Sequence, residues 1–113
     1  MLRNQNLTLT RSINTAAKTS GTVNGTGVDT AGYDSITVVF ETGVRTDGTH
    51  VASLEDSADN STFGAVAAGD QVGTFAADVT SNVNQTAAYI GGKRYIRAKL
   101  VTSGATTGAI VGV

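Results

Sequence analysis

The stretch YIGGKRYIRAKLV, residues 89–101, decides the fold class of this chain. It opens on a Gly91-Gly92 turn and then alternates apolar and polar residues, which is the pattern of a strand with one buried face. The positions on the core face are Ile96, Ala98 and Leu100. The positions on the outward face are Tyr95, Arg97 and Lys99. The stretch therefore predicts a turn followed by a half-buried strand over 93–102.

Further strands are predicted on both sides of this one. A tight turn over 103–108 leads into a final strand over 107–113. Upstream, the segment 35–46 has Ile36, Val38 and Phe40 on one face, which again indicates a half-buried strand. Asp47-Gly48 then predicts a two-residue type I′ hairpin turn, and the return strand covers 49–56.

The remaining segments carry weaker signals. Residues 13–32 are interpreted as a loop with short strand pieces, and 62–66 as a short strand. The apolar residues of 72–88 fall at helical spacing, but Thr, Ser, Asn and Gly dominate the segment and are weak helix formers. We therefore interpret 72–88 as irregular structure with short strands.

Length and composition complete the prediction of the fold. The chain has 113 residues, 14 of them Gly, and contains no Pro, Cys or Trp, so it fits one domain with a lean core of small side chains. Short strands separated by Gly, Asp and Asn turns favour an all-β fold. We predict an antiparallel β-sandwich, jelly-roll-like, over residues 13–113. Residues 1–12, with alternating Leu7 and Leu9, are predicted to form an extended N-terminal arm.

Charge and composition narrow the classes of function. The formal net charge is −1, which gives no global positive field for nucleic acid. The absence of Cys removes disulfide and thiolate metal chemistry. No apolar run reaches the length of a membrane helix, and the first residues lack the apolar stretch of a signal peptide. We expect a soluble product made in a cytoplasm, with no nucleic-acid or membrane partner.

Three groups of residues have side chains of the kind that catalytic, metal or phosphate sites use. His50 is the only His, but no nucleophile elbow accompanies it, so a surface position on a strand is favoured over a catalytic one. Asp56, Asp59 and Asn60 are rich in oxygen, but their spacing does not match a calcium loop, and a turn is favoured. Gly91-Gly92-Lys93-Arg94 lacks the P-loop pattern. We expect no catalytic residue, cofactor or metal.

The basic residues of the deciding stretch raise a binding hypothesis. Lys93, Arg94, Arg97 and Lys99 are half of the cations of the chain. With Tyr95 they are compatible with a stripe for single-stranded nucleic acid. An acidic surface on a protein partner fits the three outward residues equally well, and the net charge disfavours nucleic acid.

Part of the chain resembles a known class of protein. The resemblance rests on DGTH (47–50), LEDS (54–57) followed by DNSTF (59–63), and YIGGKRYIR (89–97). Over residues 33–113 these segments resemble small virion structural proteins of tailed bacteriophages. The resemblance implies a capsid decoration, or cement, protein, which is β-rich and free of cysteine, forms dimers or trimers, and clamps neighbouring subunits of the expanded head.

These observations lead to a non-enzymatic cement protein as the first hypothesis. It would bind the outer surface of the assembled head, bridge subunits of the major capsid protein, and form a homo-oligomer, with a trimer favoured over a dimer. It would be made in the host cytoplasm and reside on the virion. The predicted contact residues are Leu2, Leu7, Leu9, Tyr95, Arg97 and Lys99. The alternatives are a tail or tail-completion protein and a carbohydrate-binding β-sandwich module.

Overall fold

The computed structural model describes residues 10–33 and 36–113. Ten strands occur in these residues, joined by turns and one short 3₁₀ helix, Ala68–Asp70. The strands are β1 Ala16–Lys18, β2 Gly21–Asn24, β3 Val28–Asp29, β4 Ile36–Arg45, β5 Thr49–Ser57, β6 Gly64–Ala65, β7 Gln71–Val72, β8 Val83–Tyr89, β9 Tyr95–Ser103 and β10 Ala109–Gly112.

The strands form two antiparallel sheets that pack together as a β-sandwich. Sheet A has the order β1-β10-β4-β8-β7. Sheet B has the order β2-β9-β5-β6, and β3 also pairs with β9. The predicted all-β sandwich is confirmed. Its jelly-roll form stays a prediction, as does the arm, because Leu2, Leu7 and Leu9 lie outside the described residues.

The core lies between the two sheets, around β4 and β9, which were both predicted as strands. Phe40 of β4 and Leu100 of β9 are fully buried, together with Val111 of β10. The phenyl rings of Phe40 and Phe75 meet edge to face, with their centroids 5.8 Å apart. The apolar faces predicted for β4 and β9 do point inward. Many of the other core positions are alanines, so the few large side chains supply most of the buried area.

The predicted Asp47-Gly48 hairpin is wrong. β4 belongs to sheet A and β5 to sheet B, so the turn carries the chain from one sheet to the other. A type I′ turn needs positive φ at both central residues, whereas only Gly48 has it, at +92°. The carboxylate of Asp47 instead accepts N–H groups of Thr106 and Gly108, at 3.2 and 2.6 Å. This contact ties the turn to the β9–β10 connection.

The tight packing of this turn gives a first prediction. A Cβ added at Gly48 would lie 2.6 Å from the Cβ of Ala105. We expect Gly48→Ala to lower the free energy of unfolding by about 2–3 kcal/mol, because strain at positive φ adds to overpacking. Gly104→Ala is the matched control, since Gly104 also has positive φ but a Cβ there meets no atom within 4 Å. Equal losses in urea denaturation of both variants would contradict the packing argument.

Residues 83–89, most of which belong to the segment predicted as irregular structure with short strands, form a longer strand than that prediction implies. They form β8, which pairs with β4 along Ile36–Thr42. Ala87 and Tyr89 are buried, so tertiary pairing decides the conformation of a segment whose composition is poor in strand formers. The side chain of Gln85 continues the pairing outward, because its amide both accepts from and donates to the backbone of Ala76.

The N-terminal segment joins the sandwich at Ser12. The N–H groups of Ser12 and Ile13 donate to the carbonyl of Val113 at 2.8 and 3.0 Å, and Val113 donates back to Ile13. The hydroxyl of Ser12 also accepts the N–H of Ala98 in sheet B. Ser12, the last residue of the predicted arm, is therefore held by both sheets.

Candidate binding surface

The predicted contact residues of β9 lie on the outer face of sheet B. Tyr95, Arg97 and Lys99 are half-buried and alternate with the core residues of the strand. Strand β5 runs beside them in register and places Ser57, Glu55 and Ser53 opposite these three residues. We call the outer face of β5 and β9 the candidate surface.

Arg97 is held rigidly in this surface. Its Nε donates to Glu55 Oε1 at 2.8 Å, and its Nη2 lies 2.7 Å from the same oxygen. The guanidinium also lies over the ring of Phe63, with its Cζ 4.2 Å from the ring centroid. The side chain of Arg97 is only 22% exposed. Because its charge is paired and its face is stacked, Arg97 offers a partner a fixed shape rather than a free charge.

A second arginine is also paired, at the entrance to β9. Arg94 donates through Nε and Nη2 to the two carboxylate oxygens of Asp29, at 2.9 and 2.7 Å. This bidentate contact, helped by the N–H of Ala31, lowers the pKa of Asp29 to about 2. The guanidinium lies 5.2 Å from the ring of Tyr95. The contact fastens β3 to the start of β9.

A buried network joins the two sheets beneath the Gly91-Gly92 turn. The hydroxyl of Tyr89 in sheet A donates to Asp56 Oδ2 in sheet B at 3.0 Å and accepts the N–H of Lys93 at 3.1 Å. The ammonium of Lys93 lies 3.5 Å from the other oxygen of Asp56. Burial raises the pKa of the Tyr89 hydroxyl. No local pattern in the sequence indicates this network, because Asp56 lies 33 residues before Tyr89 in the chain.

Lys99 and an apolar pair make up the rest of the candidate surface. In the described part of the chain, no hydrogen bond or ion pair engages the ammonium of Lys99. Next to it, Val51 and Val101 face each other across β5 and β9, with exposed fractions of 38% and 41%. The structure thus brings together all three predicted residues of β9 and adds Glu55, Phe63 and the valine pair, which the sequence did not single out.

His50 is buried, so its predicted surface position is wrong. Its Nδ1 lies 2.9 Å from the Thr102 hydroxyl and its Nε2 lies 3.2 Å from the carbonyl of Asp47. A carbonyl can only accept, so Nε2 donates to it. The side chain is fully shielded from solvent because β5 turns it inward against Thr102 of β9. His50 therefore stabilises the crossing turn, which is the Asp47-Gly48 turn that carries the chain from sheet A to sheet B.

The oxygen-rich segment after β5 forms the predicted turn. Asp59 Oδ1 accepts the hydroxyl of Ser57 and the N–H groups of Ser61 and Thr62, at 2.8 to 3.0 Å. These bonds use the carboxylate to hold the turn. In residues 10–33 and 36–113, no group of three or more His, Cys, Asp or Glu residues is placed to hold a metal ion.

The lowered pKa values of Asp29, Asp47 and Asp59 predict that the fold is sensitive to acid. Hydrogen bonds lower the pKa of Asp47 and Asp59, and Arg94 lowers that of Asp29 from 3.8 to about 2. A folded-state pKa below the unfolded one stabilises the protein above the unfolded pKa, and this stability is lost as pH falls through the folded pKa. We expect the free energy of unfolding to fall between about pH 4 and pH 2.

Urea denaturation along this pH series tests the expectation. A variant with Asn at positions 29, 47 and 59 should start less stable near neutral pH and show a shallower decline. An equally steep decline in that variant would mean that other groups cause the acid sensitivity.

Comparison with known proteins leaves the geometry as the main guide to function. No protein-family model matches the chain, and neither curated proteins nor solved structures show a significant match. Within the described residues, no helix has the length and apolar character needed to cross a membrane.

Proposed function

We propose that this chain is a non-enzymatic virion protein of a tailed bacteriophage, which decorates the outer surface of the head and bridges subunits of the major capsid protein. The candidate surface makes the contact. A carbohydrate-binding module and a tail protein are the competing assignments.

The pairing of the basic residues carries the proposal. Of the four cations between residues 93 and 99, Lys93, Arg94 and Arg97 each lie against a carboxylate of the same chain. Nucleic-acid affinity depends on cations that neutralise phosphates, and each of these three already has a carboxylate counter-ion within 3.5 Å. This leaves a nearly neutral face with one available ammonium beside an apolar pair, which is a composition suited to a protein partner.

The rigidity of the surface supports the same assignment. Arg97 is fixed by Glu55 and Phe63, so little side-chain entropy is lost when a partner covers it. Individually weak contacts of this kind become strong when an oligomer repeats them on a regular shell. A lattice of identical capsid subunits is a surface of that type.

Strand order and sequence resemblance also support the proposal. The orders β1-β10-β4-β8 and β2-β9-β5-β6 agree with a jelly roll, in which successive strands mostly alternate between two sheets. Jelly rolls are frequent in viral capsid and lectin domains. The likeness of residues 33–113 to phage virion proteins favours a capsid role over a lectin role.

The arrangement of the polar groups supports a non-enzymatic role. His50, the only His, is buried with both ring nitrogens bonded to groups of the protein. A general base must reach the proton that it removes. The carboxylate of Asp56 is likewise buried and held by Tyr89 and Lys93.

Co-sedimentation with expanded heads of the phage that encodes the chain, followed by imaging, tests the proposal. We expect saturable binding at regular positions. Val101→Asp places a charge on the candidate surface and should weaken binding at least tenfold, about 1.4 kcal/mol. Val72→Asp is the matched control, because Val72 is an exposed valine of sheet A. Attachment confined to the tail would favour a tail protein. An equal loss of head binding in both variants would mean that the candidate surface does not contact the head.

A further inference from the structure

Asn24 and Gly25 form the only Asn-Gly pair of the chain, and they lie where β2 ends. The main-chain nitrogen of Gly25 can attack the side-chain amide carbon of Asn24. The five-membered ring that results is unstrained, and glycine has no Cβ to hinder the approach. The side chain of Asn24 is exposed, so water reaches it. Asparagine is a thermolabile residue in proteins, and an exposed Asn-Gly pair is its most reactive form.

The fold holds the nitrogen of Gly25 away from this reaction. The N–H of Gly25 donates to the carbonyl of Ala98 at 2.7 Å, which extends the antiparallel pairing of β2 with β9 by one residue. While this bond lasts, the nitrogen points into the sheet and the backbone of Asn24 stays extended. Ring closure requires the peptide group between Asn24 and Gly25 to rotate and the bond to break. The reaction therefore waits for local opening at the end of β2.

Ser12 holds the segment that follows β2 on sheet B. Its hydroxyl accepts the N–H of Ala98 and donates to the carbonyl of Thr26, both at 2.9 Å. Its own carbonyl accepts the N–H of Thr26 at 2.8 Å. A Cβ added at Gly25 would collide with the hydroxyl of Ser12, so these two residues are packed directly against each other. Separation of Gly25 from Ala98 therefore depends on the contacts of Ser12.

We propose that Asn24 is a site of spontaneous deamidation, that it reacts when the end of β2 opens, and that Ser12 restrains this opening. In the first step a bond forms between the Gly25 nitrogen and Asn24 Cγ, the bond from Cγ to the amide nitrogen breaks, and ammonia leaves with the proton of the Gly25 N–H. Water then opens the succinimide at either of its two carbonyl carbons. One product has aspartate at position 24. The other has isoaspartate, in which the main chain runs through the former side chain.

The modification would change the charge of the candidate surface. Asn24 lies opposite Lys99 in the pairing of β2 with β9, and no hydrogen bond or ion pair engages the ammonium of Lys99 within the described residues. Aspartate at position 24 gives this ammonium a carboxylate across the two strands. Isoaspartate adds one carbon to the main chain of β2 and disrupts the pairing that ends there. The chemistry itself does not depend on the proposed capsid role.

Peptide mapping after incubation in mildly alkaline buffer tests the site. The tryptic peptide 19–45 contains Asn24 as its only Asn and has no Gln. A mass gain in that peptide from exchange of the amide nitrogen for oxygen therefore assigns the site, and labelling by isoaspartyl methyltransferase identifies the second product. We expect modification to be at least about tenfold faster in urea-unfolded protein than in folded protein, because the folded protein reacts only from its open fraction. Equal rates in the two states would overturn the control by β2, and no mass gain in the unfolded protein would overturn the site.

Ser12→Ala tests the restraint. We expect the folded variant to be modified about fivefold faster than the folded wild type, because hydrogen bonds that hold the segment are lost, and the two unfolded chains to react at the same rate. Ser81→Ala is the matched control, since the hydroxyl of Ser81 likewise accepts the N–H and donates to the carbonyl of one residue, Arg45 in sheet A. Both variants are compared where urea denaturation shows them to be folded. An equal rise in the two variants, or no rise in Ser12→Ala, would refute the role of Ser12.

Gly25→Ala in urea separates the chemistry from the fold. The methyl group hinders the approach of the nitrogen to Asn24 Cγ, and in the unfolded chain its collision with Ser12 plays no part. We expect the peptide 19–45 of this variant to lose most of its mass gain over the same incubation. An undiminished gain would show that Gly25 does not supply the attacking nitrogen and would overturn the proposal.

Discussion

Phe40→Ala is expected to lower the free energy of unfolding by about 3–5 kcal/mol, the largest loss among the substitutions considered. Phe40 is fully buried at the centre of sheet A and contacts Phe75 edge to face. The neighbouring core positions include several alanines, which cannot move far enough to fill the space left by a phenyl ring. Domains of this size are typically stable by only about 5–15 kcal/mol, so this single substitution removes a large fraction of the total stability.

Urea denaturation followed by circular dichroism measures this loss. Val39→Ala is the matched control, because Val39 is the preceding residue of the same strand and points outward with 44% of its surface exposed. It should cost less than about 1 kcal/mol. A loss below that value for Phe40→Ala would mean that the two sheets do not enclose the ring.

His50→Ala is expected to cost about 3 kcal/mol. The substitution leaves a cavity and removes hydrogen bonds to the Thr102 hydroxyl and the Asp47 carbonyl. Thr102→Val keeps the volume of its side chain and removes only one of those bonds, so it should cost about 1 kcal/mol.

The same denaturation experiment compares the two variants. A double variant that loses less than the sum of the single losses would show that the two side chains interact. Tolerance of His50→Ala near neutral pH would contradict the buried position of the ring.

Period-two alternation made the main strands predictable. It located β4 and β9 and assigned Phe40, Ile96 and Leu100 to the core, because alternation depends only on neighbouring residues of one strand. The pairing of strands was not predictable in the same way. Asp47-Gly48 is a strong local hairpin signal, but contacts with the remote β9–β10 connection decide where that turn leads.

The candidate surface was predictable in position but not in chemistry. Alternation placed Tyr95, Arg97 and Lys99 on one face. It did not reveal that Arg97 pairs with Glu55, 42 residues away, or that Arg94 pairs with Asp29, 65 residues away. Ion pairs between distant segments follow from the strand order, so the deciding stretch looked more basic than the surface that it forms.

The crossing turn at Asp47 has a consequence for the kinetics of folding. Its carboxylate meets the N–H of Gly108, 61 residues later in the chain, so this contact must wait for a long loop to close. β4 and β5 do not pair with each other in the native sandwich, so a hairpin of these two strands is not available as a local native nucleus. Folding of such high-contact-order sandwiches takes about milliseconds to seconds, and during that time the apolar faces of β4 and β9 are open to association with other unfolded chains.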